Sequence, residues 1–428
     1  MSLADLSPAE LSVLHEELTT RYAELKDAGL KLDLTRGKPS AEQLDLSDEL
    51  LGLPGLGHSI DAAGTDVRNY GGLQGLAEIR QIFGDLLGIP AGQLIAADNS
   101  SLSIMHDSLT FALLHGRPGG GPWARLQARG ETIKVLCPTP GYDRHFMLSE
   151  ALGFQLVPVE LSVDGPDLET IKKLAAEDPL VKAIWVVPTY ANPNGAVYGQ
   201  DVTRELVSMP TAADDFTILW DNAYAVHHLT DDEVTPVDVL GLAAEAGHPD
   251  RVFVYASSSK ITFAGAGVSF FGGSPAIIDW YLANLSKRTI GPDKINQLRH
   301  ALYLKDADGV RALMRRHRAI IAPKFAAVEE ILHDRLGDHE VASWTEPHGG
   351  YFISLDVAEG TATEVVRLAK DAGIALTPAG SAYPYGNDPA DKNIRIAPTF
   401  PPLDQVKAAI DGLCTCVLLA AVTNREAA

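Results

Sequence analysis

Six short apolar runs, alternating with helical patterns, constrain the fold of this 428-residue chain more than any other feature. They are IKVLCP (133–138), FQLVPVEL (154–161), KAIWVVP (182–188), FTILWD (216–221), RVFVYAS (251–257) and VSFFGG (268–273). Runs this short and this continuously apolar suit strands buried on both faces, and a helix between two such strands returns the chain to start a parallel neighbour. The centre of the chain therefore reads as α/β, a mainly parallel sheet with helices on both faces.

The flanks read differently. Leu11, Leu14, Leu18, Tyr22 and Leu25 recur at helical spacing between a Ser-Pro start and Gly29, which predicts a first helix over 8–28. LDLTRGKPS and the Gly/Pro-rich residues 51–57 then cross in extended, irregular form. After the last run come a long helical pattern over about 293–335, GGYFISLDV, a helix near 362–372, NIRIAP and a final helix over about 402–422. Strands and helices mixed in this way make a smaller α+β unit. A chain of this length outgrows one core, so two domains are expected. Residues 46–295 form the large domain and 296–428 the small one, with 1–45 packing on the small domain.

Charge narrows the choice of partner. Thirty-five Lys and Arg against 56 Asp and Glu leave a net charge of −21. Binding a phosphate backbone or an anionic lipid surface needs the opposite surplus, so neither nucleic acid nor membrane is expected. Cys137, Cys414 and Cys416 form no disulfide framework, and acids stand near the N-terminus where an export signal needs a basic start, so a cytoplasmic location is expected. The charge-free stretch 261–278 has the length of a short membrane span, but its four glycines and a proline predict turns and short buried strands. His145, His227 and His228 lack acidic or cysteine partners at ligand spacing and read as lining or structural residues, so no metal is expected.

In open parallel sheets ligands gather at the carboxyl ends of strands. Three such ends carry polar residues here: Asp221 with Tyr224 after FTILWD, three serines and Lys260 after RVFVYAS, and Asn192-Pro193-Asn194-Gly195 after KAIWVVP. An amine, a carboxylate and amide or phenol donors on adjacent strand ends are what pyridoxal phosphate needs: a partner for its aldehyde, a counter-charge for its ring nitrogen, and donors to its phenolic oxygen.

From LDLTRGKP to NIRIAP, the segments NSSL, PGYDRH, NPNG, DNAY and SSSK occur in order. Through them the chain resembles the fold type I pyridoxal phosphate enzymes, within these the aspartate aminotransferase superfamily, and most closely a divergent bacterial subgroup of aspartate aminotransferases. The resemblance implies a large domain with a mainly parallel, seven-stranded type of sheet plus a smaller α+β domain. It makes Lys260 the lysine of the internal aldimine and the base that moves a proton, and Asp221 the partner of the pyridine nitrogen. Tyr224 and Asn192 then donate to the phenolic oxygen, and Tyr142 stacks on the ring. Ser100, Ser101, Leu102, Ser257 and Ser259 hold the phosphate, joined by Tyr70 from a neighbouring subunit, which implies a homodimer. Arg395 grips the substrate α-carboxylate and Gly37 closes over it. Arg36, Lys38 and, more weakly, Arg299 are candidates for a distal carboxylate. One departure stands out: many relatives place an arginine for the phosphate eight residues after the lysine, and here that position is Val268.

The activity implied is transfer of an amino group, from L-aspartate first of all, to 2-oxoglutarate by a ping-pong route. An aromatic or 2-aminoadipate aminotransferase and a β-lyase are alternatives on the same scaffold. A non-catalytic regulator that binds the cofactor is the alternative from another class.

Overall fold

The structure, a computed structural model, describes residues 3–427. Strand β1 (Leu32–Asp33) precedes the eight strands of the central sheet, which are β2 (Leu94–Ala97), β3 (Lys134–Thr139), β4 (Gln155–Ser162), β5 (Gly165–Pro166), β6 (Val181–Val186), β7 (Thr217–Asp221), β8 (Val252–Ser257) and β9 (Ser269–Gly272). A second sheet holds β10 (Ala342–Trp344), β11 (Ile353–Val357) and β13 (Asn393–Ile396), while β12 (Ile374–Ala375) pairs with β1.

The central order is β2-β9-β8-β7-β6-β3-β4-β5. Strands β4, β3, β6, β7 and β8 run parallel, and β9, β2 and β5 join antiparallel. All six apolar runs are strands of this sheet. The expected seven-stranded sheet gains a strand because two residues, Gly165 and Pro166, turn back on the end of β4.

From β3 the chain moves outward to β4 and then returns to the other side of β3 to lay down β6, β7 and β8. The crevice where this direction reverses, at the carboxyl ends of β3 and β6, is where such sheets receive ligands. The carboxyl ends of β7 and β8 extend the same edge.

Apolar side chains from both faces of the sheet make two clusters, one around Leu136, Ile184, Ile218 and Val254, the other around Cys137, Trp185, Leu219 and Tyr255. A third cluster joins Leu11 and Leu18 of the first helix (Pro8–Asp27) to Leu332, Leu355 and Leu413. That first helix begins as its sequence predicts, with Ser7 and Glu10 closing a reciprocal capping box. The last helix (Leu403–Ala427) is long and apolar enough to cross a membrane, but its residues from Val406 to Val422 are largely buried against the other helices of this third cluster. Cys414 and Cys416 are part of that packing.

The single helix expected over 293–335 is two, Lys294–Leu304 and Ala307–Leu336. The apolar period runs on across the junction, yet Lys305 adopts φ 67 and Asp306 caps the second helix by accepting from the Gly309 amide. A Cβ at Gly309 would lie 1.9 Å from the Leu304 carbonyl oxygen, so only glycine lets the chain turn this tightly.

Candidate active site

At the end of β7, Asp221 is 3% exposed. Its Oδ2 lies 2.9 Å from His145 Nε2, and the His145 ring stacks on Trp185 at 4.0 Å with 5° between the planes. The other oxygen, Oδ1, is buried and makes no hydrogen bond to the protein. His145 is the functional neighbour that sequence reading missed. It follows Tyr142 by one helical turn, and in sequence nothing links it to a residue 76 positions later.

Lys260 stands in the turn after β8, and the turn is pinned at Ser258. The Ser258 amide donates to the Val268 carbonyl and Ser258 Oγ accepts from the Val268 amide, both at 2.9 Å. Val268 itself is 1% exposed. It lines a cleft with Asp98, Asn99 and Arg288, and no arginine stands at this position. Behind the turn, Gln43 Nε2 donates to Tyr351 Oη at 3.0 Å, and Tyr351 Oη to the Lys260 carbonyl at 3.4 Å.

The Lys260 ammonium lies 4.9 Å from the centroid of the Tyr224 ring. Burial lowers the Lys260 pKa below the ordinary lysine value, and the charge of Asp221 opposes that shift. Burial raises the Tyr224 hydroxyl well above the usual phenol range and pushes Tyr142 up to about 12. At neutral pH both phenols are therefore donors rather than anions.

A cavity of about 440 Å³ brings Lys260, Tyr224, Asn192, Tyr142, Gly37 and Arg395 together. Arg36, Asp143, Arg144, Phe352 and Thr377 complete much of its wall. Arg395, on β13, lies with its guanidinium 5.0 Å from the Phe352 ring centroid. Gly37 packs against that ring, where a Cβ would come within 2.3 Å of Phe352 Cζ.

The residues expected at the phosphate do not line this cavity. Ser257 and Ser259 share a 2.6 Å hydrogen bond at the end of β8. Ser100 is the N-cap of the helix Ser101–His115 but gives that helix no side-chain bond, and Ser100 and Leu102 line the adjoining cleft. Gly267 packs against both regions: a Cβ there would stand 3.2 Å from the Asn99 carbonyl oxygen and 3.2 Å from Ser259 Oγ. Tyr70 is 82% exposed and outside the cavity.

Two distal-carboxylate candidates point elsewhere. Lys38 lies over the Phe400 ring at 3.8 Å and Arg299 lines a separate cleft, whereas Arg36 does line the cavity. Of the other histidines, His228 Nδ1 meets Tyr190 Oη at 2.7 Å, and His227 is buried between Tyr224 and Tyr351.

A family model described as aspartate amino-transferase matches residues 6–428. The chain belongs to that family. It is 61% identical over 424 residues to a Mycolicibacterium smegmatis protein provisionally named an aminotransferase, covering 98% of each. It is 52% identical over 425 residues to the aspartate aminotransferase of Corynebacterium glutamicum, covering 99% of this chain and 97% of that protein. The crystal structure of an aspartate transaminase from that bacterium matches with a TM-score of 0.96 over 99% of both chains. The α-aminoadipate aminotransferase of Thermus thermophilus, at 18% identity, shares the fold with a TM-score of 0.74 over 92% of this chain and 93% of that one. The fold type I architecture and the aminotransferase activity expected from the sequence are thus established.

Proposed function

We propose that this aminotransferase moves the amino group of L-aspartate to 2-oxoglutarate in a ping-pong cycle with pyridoxal 5′-phosphate as cofactor, working as a cytoplasmic homodimer. The observation that carries the reading is the convergence of Lys260, with Asp221 behind it, and Arg395 on one cavity. The residues fit the cofactor. Asp221 Oδ1, buried without a protein donor, suits a protonated ring nitrogen, and the first amides of the helix Ser101–His115 suit a phosphate. Ser257, Ser259 and the close-packed backbone at Gly267 add hydroxyls and an approach too narrow for a side chain.

When bound, the cofactor supplies an electron sink that weakens the bond to the substrate's α-hydrogen. The protein does the rest. Lys260, its pKa lowered by burial, gives up its proton more readily than an ordinary lysine and so suits the base that takes the α-proton and returns it elsewhere. Asp221, held by His145, would pair with the ring nitrogen, and Tyr224 and Asn192 would donate to the phenolic oxygen. Tyr142, on the same wall, would stack on the ring. Arg395 receives the α-carboxylate with two parallel hydrogen bonds, which fixes Cα toward Lys260. Arg36, on the cavity wall, adds positive charge in an otherwise acidic protein and so favours dicarboxylates. The exposure of Tyr70 supports a role for it at the phosphate of a second subunit.

The test pairs each amino acid with 2-oxoglutarate and measures glutamate. Aspartate is expected to be the best donor, and an aromatic amino acid or 2-aminoadipate exceeding it would replace the substrate assignment. The purified protein should absorb near the visible edge, with the band shifting on aspartate and returning on 2-oxoacid. Lys260→Ala should abolish glutamate formation while still binding the cofactor noncovalently, and retained turnover would remove Lys260 from its role.

A further inference from the structure

Arg395 is held short of saturation. Its side chain is buried, and around the cavity it meets one carboxylate oxygen and two distant neutral acceptors. Asp143 Oδ1 lies 3.1 Å from Nη1, Asn192 Oδ1 3.5 Å from the same nitrogen, and Thr377 Oγ1 3.4 Å from Nη2. Nε is buried and makes no hydrogen bond to the protein. A guanidinium carries five N–H donors in one plane and binds a carboxylate best through two parallel bonds. Asp143 supplies one bond, from one oxygen, and leaves an edge of the fork unused.

Asp143 opens the helix Asp143–Ala151 and lines the same cavity, and its side chain is 27% exposed against 8% for Arg395. The asymmetry matters. A buried cation without a counter-ion is strongly disfavoured, so a nearby carboxylate is needed whenever no substrate is present. A single bond to a partly hydrated carboxylate is nevertheless weak, and the carboxylate can turn toward water when a better ligand arrives.

We infer that Asp143 is a displaceable counter-ion that occupies Arg395 between substrates, yields it to an incoming carboxylate, and by its charge sets how tightly all carboxylate substrates are held. The inference rests on Arg395 as the carboxylate anchor and adds an internal competitor for that anchor. One guanidinium receives both substrates of a ping-pong cycle, so the competitor weakens both to a similar degree. It weakens products equally, which hastens their departure.

The experiment titrates maleate, an unreactive dicarboxylate, into the holoenzyme by calorimetry, using wild type, Asp143→Asn and Arg395→Gln. Asp143→Asn keeps the size of the side chain and an acceptor for Nη1 but removes the charge. It is expected to bind maleate about two- to fivefold more tightly, the range of one partly screened ion pair. The KM values for aspartate and 2-oxoglutarate should fall by a common factor. Asp143→Ser, which is smaller, must shift affinity in the same direction and covers the case in which Asn folds poorly. Unchanged or weaker maleate binding in both variants overturns the inference and leaves Asp143 as a brace for Arg395. Arg395→Gln should lose maleate binding. If it does not, the anchor and its competitor both fall; if it does while the Asp143 variants bind as wild type, the competitor alone falls.

Discussion

Replacing His145 with phenylalanine tests how Asp221 is held. The ring of His145 lies flat on Trp185 and its Nε2 lies 2.9 Å from Asp221 Oδ2, with both side chains nearly inaccessible, at 2% and 4% exposed. Phenylalanine keeps an aromatic ring for the stack and removes the nitrogen. With Oδ1 already lacking a protein donor, Asp221 would then have no side-chain hydrogen bond to either oxygen. A hydrogen bond to a charged group contributes about 1.5–3 kcal/mol, and an ionised carboxylate stripped of its donor forfeits that amount. On the proposed reading, in which Asp221 pairs with the cofactor ring nitrogen, His145→Phe should weaken pyridoxal phosphate binding by about 10- to 100-fold, at 1.4 kcal/mol per factor of ten. The assay removes the cofactor from both proteins and follows its rebinding by quenching of tryptophan fluorescence. Rebinding at wild-type affinity, in a variant that melts as the wild type does, would refute the reasoning, because it would mean that Asp221 is oriented by something other than His145.

Other consequences can be measured independently. Gly37→Ala places a Cβ 2.3 Å from Phe352 Cζ, and Phe352 supports Arg395, so the displaced ring should raise KM for aspartate by about tenfold, the scale of a 1–3 kcal/mol overpacking penalty, with a smaller change in kcat. Equal effects on both constants would place the damage elsewhere. Far from the cavity, Asp215 accepts from Lys182 Nζ at 2.6 Å and Trp123 Nε1 at 2.7 Å, all in buried surroundings. Asp215→Asn leaves that lysine uncompensated and should cost about 3–5 kcal/mol of stability in urea unfolding, with the folded enzyme retaining its turnover. His317 is fully buried, and burial lowers its pKa to about 4. The unfolded chain, with an ordinary histidine pKa near ~6.5, therefore binds more protons than the folded one between these values. His317 should thus make stability rise with pH through that window by up to about 1.4 kcal/mol per unit and contribute nothing above it. His317→Gln should reduce the difference between urea midpoints measured at pH 5 and pH 7, and an unaltered difference would contradict the shift.

The parts of this molecule that were legible in the sequence are those determined by one segment at a time. Each of the six apolar runs carries its own evidence of burial, and a polar residue ending such a run must emerge at the sheet edge, so Asp221, Lys260 and Asn192 could be picked out before any strand was paired. Pairings between segments were not legible. Asp143 meets Arg395 across 252 positions, and Asp221 meets His145 across 76, because the central strand order gathers the ends of β3 and β7 on one edge and Arg395 of β13, in a separate sheet, lines the same cavity as Asp143. Nor does hydrophobic period report a break that costs it nothing. Leu304 and Ala307 are both buried on either side of the kink at Lys305, so the pattern reads as continuous while the backbone turns.

The same division explains how the site can be tuned. Lys260, Asp221 and Tyr224 hang from the central sheet, whereas Arg395 and Phe352 belong to the smaller sheet and the loop leading into it, with Gly37 just after β1. The groups proposed to move protons and those proposed to grip carboxylates thus rest on different sheets, which are joined behind the cavity by the Tyr351 hydrogen bond to the Lys260 carbonyl. Substitutions on the Arg395 side should therefore fall first on KM, and substitutions around Asp221 first on cofactor affinity and kcat. A Gly37 variant that altered cofactor binding as strongly as His145→Phe would show that the two frameworks are mechanically coupled, and the separation argued from their strand connections would fail.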